Sequence, residues 1–149
     1  MADRSLAAIG NYTLSQMKLG SGSFSTVKLA RHNILGVNVA MKIIVREKIK
    51  DPYVVKNLER EAAILGDLHH PKVVQLLEVA AGGGFYCLIM EYFSGGTLCD
   101  LMQSRGRLEE TMARGYFRQI VSGLRYIHKQ VGRCNSTNIQ PCYLVIFRR

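Results

Sequence analysis

Apolar positions follow two rhythms along the chain, and each rhythm predicts its own kind of element. Residues 12–19 and 26–31 are strand-like runs. Over 37–45, Val39, Met41 and Ile43 fall on one face and Ala40, Lys42 and Ile44 on the other, as a period of two requires. Residues 73–79 and 85–90 predict two more strands, joined around Gly82-Gly83-Gly84. Between these groups Val55, Leu58, Ala62, Leu65 and Leu68 recur at helical spacing. Asp51-Pro52 starts that helix, with Asp as the cap and Pro at the first helical position. His69-His70-Pro71 ends it. The two histidines are adjacent, so they do not share a helical face as metal ligands would, and they read as turn residues.

After Met90 the pattern changes. Residues 91–96, with Ser94-Gly95-Gly96, carry turn formers and no periodicity, and predict a connector between two subdomains. A short helix over 97–103 follows, closed by Gly106. A longer helix over 109–129 starts at Glu109-Glu110, which suits the helix dipole. Its apolar stripe is Phe117, Ile120, Val121, Leu124 and Ile127.

Candidate chemistry sits early in the chain. Gly20 and Gly22 lie at the tip of the first hairpin, where a backbone without Cβ atoms can approach a ligand closely and take up positive φ. Free backbone N–H groups at such a tip suit phosphate oxygens. Lys42 shares a strand face with the small Ala40, which leaves room for a flat ligand; a solvated lysine on an edge strand is the competing reading of this strand alone. Glu61 stands at the margin of the apolar helix stripe, as a rim residue or as a charge aimed at Lys42.

Composition narrows the classes. A chain of 149 residues, 48% hydrophobic, is enough for one domain with a real core. Lys and Arg number 20 against 11 Asp and Glu, a formal charge of +9. These cations are scattered, without a dense run or interleaved aromatics, so a basic domain that does not bind nucleic acid is expected. The cysteines Cys87, Cys99, Cys134 and Cys142 show no C-x-x-C spacing, which disfavours zinc and a disulfide framework and favours free thiols in a reducing compartment. No secretory signal and no run long enough to cross a bilayer occur, so no membrane role and an intracellular, cytoplasmic setting are expected.

Taken in order, these motifs resemble the eukaryotic protein kinase domain of Ser/Thr type, in the style of the calmodulin-dependent and AMP-activated-like group. The matching residues are the loop Leu19-Gly20-Ser21-Gly22-Ser23-Phe24-Ser25-Thr26-Val27, the strand Val39-Ala40-Met41-Lys42, Arg60-Glu61, His70-Pro71, Ile89-Met90-Glu91-Tyr92, and Phe117-Arg118-Gln119-Ile120-Val121. Residues 51–58 are similar to the hormonally up-regulated Neu-associated kinase subfamily. The resemblance implies an α+β fold. Its N-terminal lobe over 11–90 would hold a five-stranded antiparallel sheet and one helix, after a loose leader over 1–10. A hinge over 91–96 and the first C-terminal-lobe helices over 97–130 would follow.

The resemblance also implies roles. Gly20, Ser21, Gly22 and Ser23 would cover the ATP phosphates, and Lys42, fixed by Glu61, would hold the α- and β-phosphates. Leu19, Val27 and Ala40 would roof the adenine. Met90 would be the gatekeeper, and the backbone of Glu91 and Phe93 would bond the adenine edge. Leu65 and Leu76 would be upper members of the apolar stack that aligns the lobes. Ser25 replaces the third loop glycine, and Thr97 stands where relatives often carry an acidic residue, which puts the ribose contact in doubt.

The resemblance stops near Gln130. The slots for the catalytic His-Arg-Asp hold Cys134-Asn135-Ser136, those for the catalytic-loop lysine and metal-binding asparagine hold Asn138 and Pro141, and no aspartate follows Asp100. Residues 131–149 carry no acid and form a divergent tail. The expectation is an ATP-binding portion of a kinase with no complete catalytic set, family Mg²⁺ chemistry without its protein ligands, and no activity of its own. The alternative is a non-catalytic isoform that binds a protein partner through the exposed helix over 109–129.

Overall fold

The computed structural model describes residues 8–22, 24–49 and 51–134. They fall into two compact units. One is the chain through Gly66 together with Leu76–Tyr92; the other is Asp67–Gln75 together with the chain from Phe93 onward.

The first unit is built on a six-stranded sheet whose paired strands all run antiparallel. In chain order the strands are β1 (Ala8–Ile9), β2 (Tyr12–Ser21), β3 (Ser25–His32), β4 (Asn38–Val45), β5 (Leu76–Gly82) and β6 (Phe85–Glu91). Their order in the sheet is β1-β2-β3-β4-β6-β5. The sequence predicts five strands. The sixth, β1, lies in the stretch read as a loose leader, where Ala8 pairs with Thr13 and Ile9 with Tyr12 across a turn with Gly10 at φ 54°. A two-residue strand is too short to show a period. β5 lies three residues later than expected because its hairpin to β6 turns on Gly83 and Gly84, at φ 56° and 81°, which glycine tolerates and the right-handed strand twist favours.

β4 buries Val39, Met41 and Ile43 and leaves Ala40 and Lys42 half-buried. Val39, Met41 and Ile43 join Tyr12, Ala30, Cys87 and Ile89 in one core cluster. β6 is buried from Tyr86 through Met90, on both faces, which explains its unbroken apolar run. The helix α1 (Pro52–Asp67) starts as predicted, with Asp51 Oδ1 accepting from the Tyr53 N–H at 2.8 Å. Ala62 and Leu65 form its buried face.

The Tyr12 hydroxyl donates to Glu78 Oε2 at 2.7 Å, tying β2, second in the sheet order, to β5, the last. Burial, and then this bond and the Glu78 charge, push the Tyr12 hydroxyl from 10.0 up to about 12. A raised folded-state value stabilises fully below the unfolded value. That stabilisation fades as pH climbs from 10 to about 12. Melting temperatures across this window should therefore fall, and Tyr12→Phe should fall less steeply while starting about 1 kcal/mol less stable for the lost hydrogen bond. An equally steep decline in the variant would assign the alkaline loss elsewhere.

The second unit holds α2 (Leu98–Arg105) and α3 (Glu110–Cys134). Thr97 caps α2 in a reciprocal box: its Oγ1 accepts from the Asp100 N–H at 3.1 Å, and Asp100 Oδ2 accepts from the Thr97 N–H at 2.8 Å. The Thr97 hydroxyl also donates to Asp100 Oδ2 at 2.7 Å; this bond first, and then the one from the Thr97 N–H, lower the Asp100 carboxyl from its ordinary value. Gly106 ends α2 at φ 72°. α3 runs five residues beyond the predicted 129, through Cys134, the first residue of the catalytic-loop slot. Asn135, Ser136, Asn138 and Pro141 lie outside the described residues. Within α3, Gly123 passes so close to the 67–75 segment that a Cβ there would lie 3.0 Å from the Lys72 carbonyl oxygen. Beside it the His69 N–H donates to Tyr126 Oη at 2.9 Å, and the His70 ring stacks on Tyr126. His70 Nδ1 accepts from the Lys72 N–H at 3.1 Å, the turn role expected of it.

Candidate functional site

The first hairpin closes where the Gly22 N–H donates to the Ser25 carbonyl at 2.9 Å. That N–H is therefore engaged, which corrects the expectation of a row of free amides. The positive-φ glycines lie elsewhere, so Gly20 and Gly22 act through their missing Cβ atoms, not through a left-handed backbone. A Cβ at Gly20 would meet nothing within 4 Å, whereas one at Gly22 would meet Ser25 Oγ at 3.0 Å. Two register shifts in β2, between Leu14 and Lys18 and between Lys18 and Gly20, bend the strand ahead of the tip.

Pairing carries the hairpin to the lysine. Gly20 stands opposite Val27, Val27 opposite Lys42, and Lys42 opposite Leu88, one rung across four strands. The next rung on this face joins Leu29, Ala40, Met90 and Leu76. Residues directly opposite in an antiparallel pair share a face. Val27, Ala40, Lys42 and Met90 consequently project to one side of the sheet. Lys42 Nζ donates to Glu61 Oε1 of α1 at 3.0 Å, and the two side chains are only 11% and 14% exposed. An ion pair held this far from water is rigid, because each partner would lose the other without gaining full hydration.

The remaining candidate positions are distributed as follows. Val27 and Ala40 are half-buried, Met90 is buried, Leu19 and Ser21 are exposed, and Glu91 is half-buried. Phe93 belongs to the second unit. Ser23 lies outside the described residues. Leu65 is buried and Leu76 half-buried.

Nearby titration follows the same layout. Tyr86 stands opposite Ile44 on the lysine side of the sheet. Its hydroxyl is raised by burial first and then by the Glu59 and Glu61 charges, against the Arg46 charge. Cys87, on the core side, is pushed up to about 11 by burial, which makes it an inert thiol and not a nucleophile. Among the described residues no three His, Cys, Asp or Glu come together to hold a metal ion. No helix among them is long and apolar enough to cross a membrane.

Two features escaped the sequence. The Tyr12–Glu78 bond spans 66 positions and leaves no local signal. The Thr97-x-x-Asp100 spacing is a capping signature, and it accounts for a threonine otherwise judged only as a missing acid.

The protein kinase domain family model matches residues 13–132. The hormonally up-regulated neu tumor-associated kinases of Homo sapiens and Mus musculus are 40% and 39% identical over 122 residues. These matches cover 81% of this chain but 17% of each relative, so the chain spans about a sixth of the length of the curated relatives it matches. Among solved structures, Rad53 1-466 in complex with AMP-PNP superposes with a TM-score of 0.71 at 31% identity, over 81% of this chain and 31% of that one.

Proposed function

This chain belongs to the protein kinase domain family, and from that premise we propose that it is the ATP-binding portion of a protein serine/threonine kinase, without catalytic turnover of its own. The observation that carries the reading is the sequestered Lys42–Glu61 pair at 3.0 Å, one strand pairing away from Val27 and two from Gly20. An ammonium fixed by a carboxylate, on the strand beside a hairpin that is open at Gly20, suits the phosphates of a nucleotide. The AMP-PNP bound in the Rad53 complex supports the same ligand class. Val27, Ala40 and Met90 would flank the base, with the backbone of Glu91 at its edge.

The donor set does not fit a protein-held Mg²⁺. No acidic cluster occurs among the described residues, and no aspartate follows Asp100 in the sequence. Loss of a general base alone lowers a rate by about 10²–10⁴-fold. Without metal clamps, most electrostatic stabilisation of phosphoryl transfer is lost as well.

Calorimetric titration with ATP, with and without Mg²⁺, tests both halves. Weak binding that is insensitive to Mg²⁺ is expected, along with no radiolabel transfer to a generic protein substrate above a Lys42→Ala control. Absence of any nucleotide binding would remove the ATP assignment. Tight Mg²⁺-dependent binding, or turnover, would remove the claim of an incomplete site.

A second reading, a non-catalytic module that competes for a kinase's partners, is favoured by Phe117, which is 64% exposed in the first third of α3.

A further inference from the structure

The second unit contains a shallow groove of about 580 Å³ along α3. Arg118, Arg125 and Lys129 line it, and their separations of seven and four residues keep them on one side of the helix. All three side chains are exposed, and no carboxylate is among the lining residues. Phe117 and Val121 flank the cations, one helical turn apart, with 64% and 43% of their surface exposed. The Tyr126 ring beneath is fixed by its His70 stack and its bond to the His69 N–H, so this part of the groove is preformed.

We propose that this groove docks an acidic amphipathic peptide segment of a partner protein. Its carboxylates would meet Arg118, Arg125 and Lys129, and its large apolar side chains would cover Phe117 and Val121. Charge complementarity selects this occupant. A second copy of a chain with formal charge +9 would bring cations against cations. Single-stranded nucleic acid needs successive aromatic faces to stack its bases. Here the Tyr126 ring is already stacked on His70 and Val121 has no π-face, which leaves Phe117 as a single exposed aromatic and not a succession of them. The assignment is independent of the nucleotide reading, since no residue of the Lys42 site takes part.

Fluorescence anisotropy with the full chain tests it. The probe is a labelled synthetic peptide with glutamates on one helical face and leucine and phenylalanine on the other. Comparators are the same peptide with lysine for glutamate, a polyglutamate without apolar residues, and oligo-uridylate. The acidic amphipathic peptide is expected to bind best, and R118E/R125E to weaken it by at least about tenfold. Phe117→Ser should weaken it by a smaller factor, and the exposed Arg107→Glu should leave it unchanged. Circular dichroism verifies that each variant keeps its helices. Absence of binding, equal binding of the lysine peptide or polyglutamate, tighter binding of oligo-uridylate, or an unchanged affinity in both R118E/R125E and Phe117→Ser would overturn the proposal.

Discussion

Lys42→Ala should abolish nucleotide binding and destabilise the first unit by roughly 3 kcal/mol, at the low end of the cost of breaking a buried ion pair. The substitution leaves the Glu61 carboxylate, only 14% exposed, without the ammonium 3.0 Å away. The two effects can be separated. Replacing both partners with apolar residues of similar size, Lys42→Met with Glu61→Leu, removes the stranded charge and should restore most of the stability. Nucleotide binding should stay absent in the double variant, because the cation is still gone. Urea denaturation and calorimetry on the three proteins decide the matter. A double variant as unstable as Lys42→Ala would mean that packing, not charge, accounts for the loss.

Ile89→Ala should cost about 2–5 kcal/mol, a large share of the 5–15 kcal/mol that holds a typical domain. Ile89 is fully buried, and its cluster includes Tyr12 from β2 and Val39 and Met41 from β4. The cavity would open on the core side of β4 and β6, opposite the lysine. Leu77→Ala is the control: at 52% exposed it should change stability by less than about 0.5 kcal/mol. The check is the urea midpoint at constant slope. Equal effects at the two positions would mean that this cluster is not the principal core.

Much of this was legible because the elements concerned carry strong local signals. β4 alternates cleanly, so Lys42 could be placed on a face with Ala40. Asp51-Pro52 announced α1, and the helical stripe put Glu61 at a margin from which it reaches the lysine. Family order then linked motifs that are individually weak. What was not legible depends on distance or on single dihedrals. Nothing in the sequence near Tyr12 points to Glu78. The φ values of Gly83 and Gly84 moved β5 by three residues. The engaged Gly22 amide reflects how the hairpin closes, and composition cannot report it. α3 outran its predicted end because residues 130–134 contain no proline to stop it.

β6 lies between β4 and β5 and is covered on both sides. Its amides should be among the slowest of the sheet to exchange with deuterium, since freeing all of them requires both neighbouring strands to detach. The Gly20–Gly22 tip and the Gly83-Gly84 turn, at the rims, should exchange early. Opening would then proceed from the edges inward, and the Gly20–Gly22 tip would breathe on its own clock while the strand that carries Lys42 stays shut.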